Sequence, residues 1–231
     1  MQRTVGTVQG TVYLAEEPRG NTTCMMPTAK ILLLLSVVLV TLSGCEQKMT
    51  AHSFGPEYSN LAELKLPEHY REWVYLTSGF DMSYSTSGGM ADHHMFDNVF
   101  VNSEAYKAFL ATGTWPDKTE LVLEVREAQG KGSINQAGHF QTGVMGVEVH
   151  VKDEARFPGK WAFFGFDDGG KTSKMIPTTA DCYSCHAAHA AVDTTFAQFY
   201  PTLLPIARHK GTLSAVYLKE TETPVHEEPR R

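Results

Sequence analysis

Cys182-Tyr183-Ser184-Cys185-His186 sets two thiols three residues apart, with an imidazole directly after the second. On a helix that spacing brings both sulfurs onto one turn, where they suit thioether bonds to the two vinyl groups of a haem, and it turns His186 toward the iron. Two other chemistries use the same atoms. Cys182, Cys185, His186 and His189 pack four zinc-type donors into eight residues, whereas tetrahedral Cys/His sites normally draw ligand pairs from two separated segments. A C-x-x-C redox pair calls for a strand-helix-strand context that the surrounding pattern lacks. One covalent c-type haem, with His186 as proximal ligand, is therefore the favoured reading. No methionine follows His186, so an axial Met downstream of the motif is ruled out. Met145, Met175, His139 and His150 are upstream candidates for a sixth ligand, and an open position that binds small molecules is at least as compatible.

Haem of this kind is attached outside the cytoplasm, and the N-terminal region carries a matching address. Lys30 precedes an apolar run, Ile31 to Val40, followed by Leu42-Ser43-Gly44-Cys45. The run is short for a mature spanning helix, and small residues before Cys45 suit a signal peptidase. Leu-Ser-Gly-Cys also matches a bacterial lipobox, which predicts a leader and signal over 1–44 and a lipidated Cys45; an ordinary cleaved signal with an incidental cysteine is the plainer alternative. Residues 1–24 add nothing that export needs, so translation is expected to start at Met25 or Met26. Cys24 then falls in the leader, and Cys182 and Cys185 are the thiols left to the mature domain. The expected location is the periplasmic side of a bacterial membrane, in the cell envelope.

The rest of the chain must position that motif. With 231 residues, 42% of them hydrophobic and 20% charged, it has the makings of one globular domain rather than a disordered or multi-span protein. A dispersed net charge of −6 gives no basic footprint for nucleic acid. Residues 45–60 are polar and aperiodic, as in a tether; the folded domain is expected over 61–218, and a charged disordered tail over 219–231. Helical turn around Pro67 to Trp73 leads to a strand at Trp73 to Thr77, a Gly/Ser-rich turn at Ser83 to Met90, and a strand at Met95 to Val101. Asn102 or Ser103 caps a helix with Tyr106, Phe109 and Leu110 on its apolar face, and Gly113 ends it.

Leu121 to Arg126 alternates as a strand, with Leu121, Leu123 and Val125 on one face. After a Gly-rich loop, Phe140 to Val151 alternates again, with Val144, Gly146, Glu148 and His150 opposite Met145, Val147, Val149 and Val151. Trp161 to Phe166 is a further strand, and Phe140, Phe163, Phe164 and Phe166 are core aromatics. Thr178 and Asp181 form a capping box for the cysteine helix, and Thr195 to His209 reads mostly as a second helix, bent or broken at Pro201 and Pro205. Strands first and helices last predict α+β: mainly antiparallel sheet with short helices and a haem-binding C-terminal helical segment. His93, His94, His139, His150 and His189 are read as surface or packed histidines.

Several stretches carry a resemblance. Leu66-Pro67-Glu68-His69-Tyr70-Arg71-Glu72-Trp73-Val74, Val99-Phe100-Val101-Asn102-Ser103-Glu104-Ala105-Tyr106, Gly146-Val147-Glu148-Val149-His150-Val151-Lys152-Asp153, Gly159-Lys160-Trp161-Ala162-Phe163-Phe164 and Pro177-Thr178-Thr179-Ala180-Asp181 resemble the cytochrome P-460 family. So do Asp193, Phe196 and Phe199-Tyr200-Pro201 beyond the motif. The resemblance spans about Leu61 to Ala207. It implies a mostly antiparallel β domain, a homodimer, and one five-coordinate haem c; members oxidise hydroxylamine, with nitric oxide as intermediate and nitrous oxide as product. A sister group, cytochrome c′-β, shares the fold and chiefly binds nitric oxide through a pocket capped by phenylalanine. A small cytochrome is the expected redox partner.

Two positions depart from the family. Its enzymes tie a lysine to the porphyrin edge, and aligning Trp115-Pro116-Asp117 puts that lysine at Leu123, which has no group to form the bond and reads by itself as a core leucine. Lys118 is the nearest lysine, in the preceding turn. A distal arginine of some relatives falls at Asp97. Glu148 points the other way: it matches the distal carboxylate that accepts protons in hydroxylamine-oxidising members, although by pattern alone it is a solvated residue on the polar face of an edge strand.

Overall fold

A computed structural model describes residues 54–60, 62–83, 93–167 and 169–222. The leader, Cys45, nearly all of the Ser83 to Met90 turn and residues 223–231 lie outside the described residues. The architecture is α+β, as the order of elements predicts. Strands β2 (Val74–Phe80), β3 (Met95–Val101), β4 (Glu120–Gln129), β5 (Phe140–Lys152) and β6 (Trp161–Phe166) form one antiparallel sheet in chain order. Each strand pairs with the one before it, which short connections allow. A second pair, β1 (Glu63–Lys65) with β7 (Thr172–Lys174), is antiparallel too. At three residues each, these strands are too short for alternation to reveal them.

Both faces of the sheet are covered, and each has its own apolar cluster. On one, Leu76, Val101, Leu121 and Trp161 meet Phe109, Trp115, Leu203 and Ala207. On the other, Val122, Val149, Val151, Ala162 and Phe164 meet Leu64, Tyr70 and Phe157. Burying each such side chain stabilises the fold by roughly 1.5–3 kcal/mol. Helix α1 (Ser103–Thr112) brings Phe109 to the first cluster and leaves Leu110 at 39% exposure. Gly113 ends it in the left-handed region at φ 79°, its N–H bonding the Phe109 carbonyl. Asn102 occupies the N-cap position, but its Oδ1 accepts from the Glu120 N–H at 3.1 Å, tying helix to β4 instead of capping it.

Helix α2 (Asp181–His189) carries the cysteine motif, and its N-cap is Ala180 without a side-chain cap bond. The Thr178–Asp181 capping box is thus corrected: the first helical residue is Asp181 itself, which places a carboxylate against the helix dipole. The helical stretch expected over Thr195 to His209 is broken rather than bent. Pro201 has no N–H to continue a ladder, so a 3-10 turn at Ala197–Phe199 is followed by a separate α3 (Leu204–Lys210), with Pro205 in its first turn. Helix α4 (Ala215–Glu222) extends order beyond residue 218 into the stretch assigned to the tail.

Three more expectations change. Part of the 45–60 tether belongs to the fold: Tyr58 bridges to Leu64, its hydroxyl donates to Asp153 Oδ2 at 3.2 Å, and Arg156 lies 3.7 Å over its ring. Phe140 is 38% exposed rather than core, because it starts β5 ahead of Val147, where β6 begins to pair. Gly146 pairs with Val125 but Val144 with Arg126, so Met145 is a bulge. The extra residue moves Val144 off the Glu148 face, because side chains alternate with period two.

Glu124 shows how the second face is held. Its carboxylate, 2% exposed, receives Tyr70, Arg71 and Arg126. Burial raises its pKa, but hydrogen bonds from Tyr70, Arg126 and Arg71 prevail and hold it below the ordinary value. A carboxyl depressed in the folded state contributes stability above its unfolded pKa of about 4.3 and loses it as pH falls through the folded value. Glu124→Gln is expected to cost about 2–3 kcal/mol at neutral pH and to flatten the acid limb. Melting curves between about pH 3 and 6 check this; an unchanged acid limb would dismiss the assignment.

Candidate functional site

Helix α2 is clamped onto the sheet by a residue inside its own motif. The Tyr183 hydroxyl donates to the Ile176 carbonyl at 3.0 Å and receives the Phe163 N–H at 3.3 Å, while its ring packs edge-on against Phe163 at 4.9 Å. The far end is satisfied by Gln198, whose amide donates to the His189 carbonyl at 2.8 Å, and by Ser214, whose hydroxyl donates to the Ala190 carbonyl at 2.6 Å. Cys182 and Cys185 are free thiols, both half-buried. Burial raises the Cys182 pKa, and the charges of Glu148 and Asp181 add to it. Glu148 is therefore within electrostatic reach of the first cysteine.

His186 is held in one orientation. Its Nδ1 lies 2.6 Å from the Thr194 carbonyl oxygen, and since a carbonyl only accepts, Nδ1 carries the proton and Nε2 keeps its lone pair. This is how a ligating imidazole is presented to a metal. The ring is walled by Phe196 at 4.1 Å, Phe163 at 4.7 Å and His150 at 5.2 Å. Burial lowers the His186 pKa, partly offset by the bond to Thr194, which keeps the neutral form that a metal requires.

One face of the sheet carries Leu123, Glu148 and Asp97. Leu123 pairs with Val99 on one side and Glu148 on the other, and Glu148 pairs with Gly165. Strand β5 is flanked by β4 and β6, so Glu148 stands on an interior strand and the edge-strand reading is corrected. Gly165 and Gly146 lie beside it with nothing within 4 Å of the position a Cβ would take, which leaves open room around the carboxylate. Glu148 is exposed, as the plain solvated reading has it, although the protein around it and the like charges of Asp97 and Asp167 raise its pKa. Asp97, opposite Val125 on this face, is raised by burial and by Asp81.

Other candidates part from this arrangement. Lys118 is committed to Asp153. His94 joins Asp81 and stacks near Phe80 and His139 at the far end of the sheet. His189 turns to Glu220 at 3.3 Å, and among the described residues no group of three or more His, Cys, Asp or Glu is arranged to hold a metal ion, so the zinc alternative gains no support. Met175 lines the cavity beside His186, whereas Met145 is 44% exposed on the bulge. Sequence reasoning missed Thr194, whereas His150, read as surface or packed, is packed. Alternation does put His150 on the Glu148 face, but nothing local marks Thr194, whose contribution is a main-chain oxygen.

A mostly apolar cavity of about 650 Å³ beside His186 is lined by Trp161, Phe163, Phe164, Met175 and Tyr183 among others, and Cys182, Cys185 and Glu148 are not among its lining residues; the fit to a haem rests on the donor set. Two unpaired thiols on one turn, an imidazole with a free Nε2 and an apolar wall fit the group. No curated protein matches the chain. The family model described as Cytochrome P460 matches residues 67–197, more than half of the chain and the stretch holding the sheet, Glu148 and the cysteine helix, so this haem cytochrome belongs to the cytochrome P460 family.

Proposed function

We propose that the protein holds one haem c bonded through Cys182 and Cys185, with His186 as the proximal ligand, and oxidises a small nitrogen oxide, hydroxylamine or nitric oxide, with Glu148 as proton acceptor. The observation that carries this reading is the place of Glu148: a carboxylate of raised pKa on an interior strand, flanked by open space and within electrostatic reach of Cys182. A bound haem supplies an iron that draws electrons from a small ligand. The chain supplies the rest. Glu148 takes the proton that the substrate must lose, and a carboxyl raised toward neutrality is a better base than an ordinary one. Phe163 and Phe196 hold the His186 ring.

Leu123 supports a second reading. Directly beside Glu148, it stands where the family resemblance puts a cross-linking lysine. A protein without that bond would act as a nitric oxide binder or electron-transfer cytochrome, as in cytochrome c′-β. The purified haem-loaded protein, given hydroxylamine and an artificial electron acceptor, separates the two. Acceptor reduction that depends on hydroxylamine supports the enzyme; nitric oxide binding without such reduction ends that reading and leaves the binder.

The protein is exported, anchored at the periplasmic face by lipid on Cys45, paired as a homodimer, and exchanges electrons with a small cytochrome. No described helix is long and apolar enough to cross a membrane. Expressed in a bacterial host and extracted with detergent, the chain is expected to show the intact mass of a species beginning at an acylated Cys45. A soluble, unacylated product after signal cleavage would remove the anchor.

A further inference from the structure

The turn that presents the Thr194 carbonyl to His186 is anchored at several of its residues. The Thr195 N–H bonds the Val192 carbonyl at 2.9 Å, and the Thr195 hydroxyl receives the buried Trp115 Nε1–H at 2.8 Å. The Asp193 carboxylate, on a residue with φ 51°, lies 3.6 Å from Lys152 Nζ and 3.4 Å from the Trp115 N–H. At Thr194 itself, the hydroxyl oxygen sits 3.4 Å from His150 Nε2. His150 belongs to β5, two residues beyond Glu148 on the same face. Its ring is stacked on Phe163 at 3.9 Å with 10° between planes, leans on Trp161 at 4.4 Å, and meets the His186 ring edge-on at 5.2 Å. A ring so confined has little freedom to leave either neighbour.

We infer that His150 is a positioning residue for the proximal ligand, fixing Thr194 by its side chain and His186 by its ring, and so setting how firmly the Thr194 carbonyl holds the His186 Nδ1–H. This rests on the proposed reading that His186 ligates the haem iron. The hydrogen bond at one imidazole nitrogen raises the basicity of the other. A secure Thr194 contact makes His186 a stronger donor; a loosened one makes it weaker, which weakens the iron–histidine bond and raises the reduction potential.

The test uses the haem-loaded full chain as wild type, His150→Phe, Thr194→Val, the double variant and His150→Gln. Resonance Raman of the ferrous protein reads the iron–histidine stretch, and redox titration reads the potential. His150→Phe keeps an aromatic ring and Thr194→Val keeps the carbonyl, so both remove the same contact at small cost in packing. Each is expected to lower the stretching frequency and raise the potential. The double variant is expected to go no further than His150→Phe, since the two partners share one interaction. His150→Gln, which retains a hydrogen-bonding group, is expected to recover part of the shift.

If Thr194→Val and His150→Phe both leave stretch and potential at wild-type values, or if their shifts add in full, the inference is overturned while the haem assignment stands. Should His150→Phe fail to fold, Thr194→Val decides alone. A wild-type ferrous haem found ligated by a group other than His186 would remove His186 as ligand, and with it both the proposed function and this role for His150.

Discussion

Glu148→Gln is expected to lower hydroxylamine oxidation by about 10²-fold to 10⁴-fold, the usual worth of a positioned general base, while nitric oxide binding stays nearly unchanged. Glutamine keeps the shape of the side chain on β5 and its place between Leu123 and Gly165, so the loss isolates proton acceptance from packing. Binding of nitric oxide releases no proton and has no need of a base. The pH profile supplies an independent check. Burial, with Asp97 and Asp167, raises the Glu148 pKa above that of an ordinary carboxyl, and a base works only when deprotonated. Activity is therefore expected to fall as pH drops through that raised value, at a higher pH than a free glutamate would give, and this limb is expected to vanish in the variant. A rate that barely changes in Glu148→Gln would assign the proton to another group.

The second large effect is expected at the cysteines. A haem held by two thioethers survives denaturation and acid-acetone extraction, whereas one held by His186 and apolar contacts alone is drawn into the organic phase. The wild type, made with a c-type haem maturation system, is expected to keep its colour in the protein fraction. Cys182→Ala or Cys185→Ala weakens attachment, and the double replacement abolishes it. Peptide mapping of the wild type is expected to find haem joined at two points, because Leu123 offers no nucleophile and Lys118 is bound to Asp153. Complete loss of wild-type colour would end the covalent reading, and a third attachment point would reinstate a lysine bond.

Much of the architecture was legible in local patterns. Strand β3 begins and ends where the sequence reading places it, at Met95 and Val101, and β6 at Trp161 and Phe166. Helix α1 stops at Gly113 because that residue adopts a left-handed conformation that glycine tolerates. Errors gathered where local chemistry had competitors. Thr178 has the side chain for a cap, yet the backbone becomes helical only at Asp181; Phe140 has the composition of a core residue, yet β5 outruns its neighbour there. Tyr58 looked like part of a polar tether because its neighbours are polar, and its partners Asp153 and Arg156 are nearly a hundred residues away.

For the site the division follows range. Cys182, Cys185 and His186 lie within one helical turn, so their relative placement is a matter of helical geometry and can be read directly from the chain. The pairing of Leu123 with Glu148, and the interior position of β5 that turns a polar residue of an alternating strand into a candidate base, depend on strand order and register. Register is set by the summed burial of whole faces and by bulges such as Met145, neither of which any short stretch encodes. Thr194 and His150 depend on tertiary structure still more, for they meet His186 only after the last strands and the C-terminal turn have packed. The sequence by itself determined which atoms can bond the cofactor; tertiary packing decided what holds those atoms and which side chains Glu148 stands among, because strand pairing joins residues far apart in the chain.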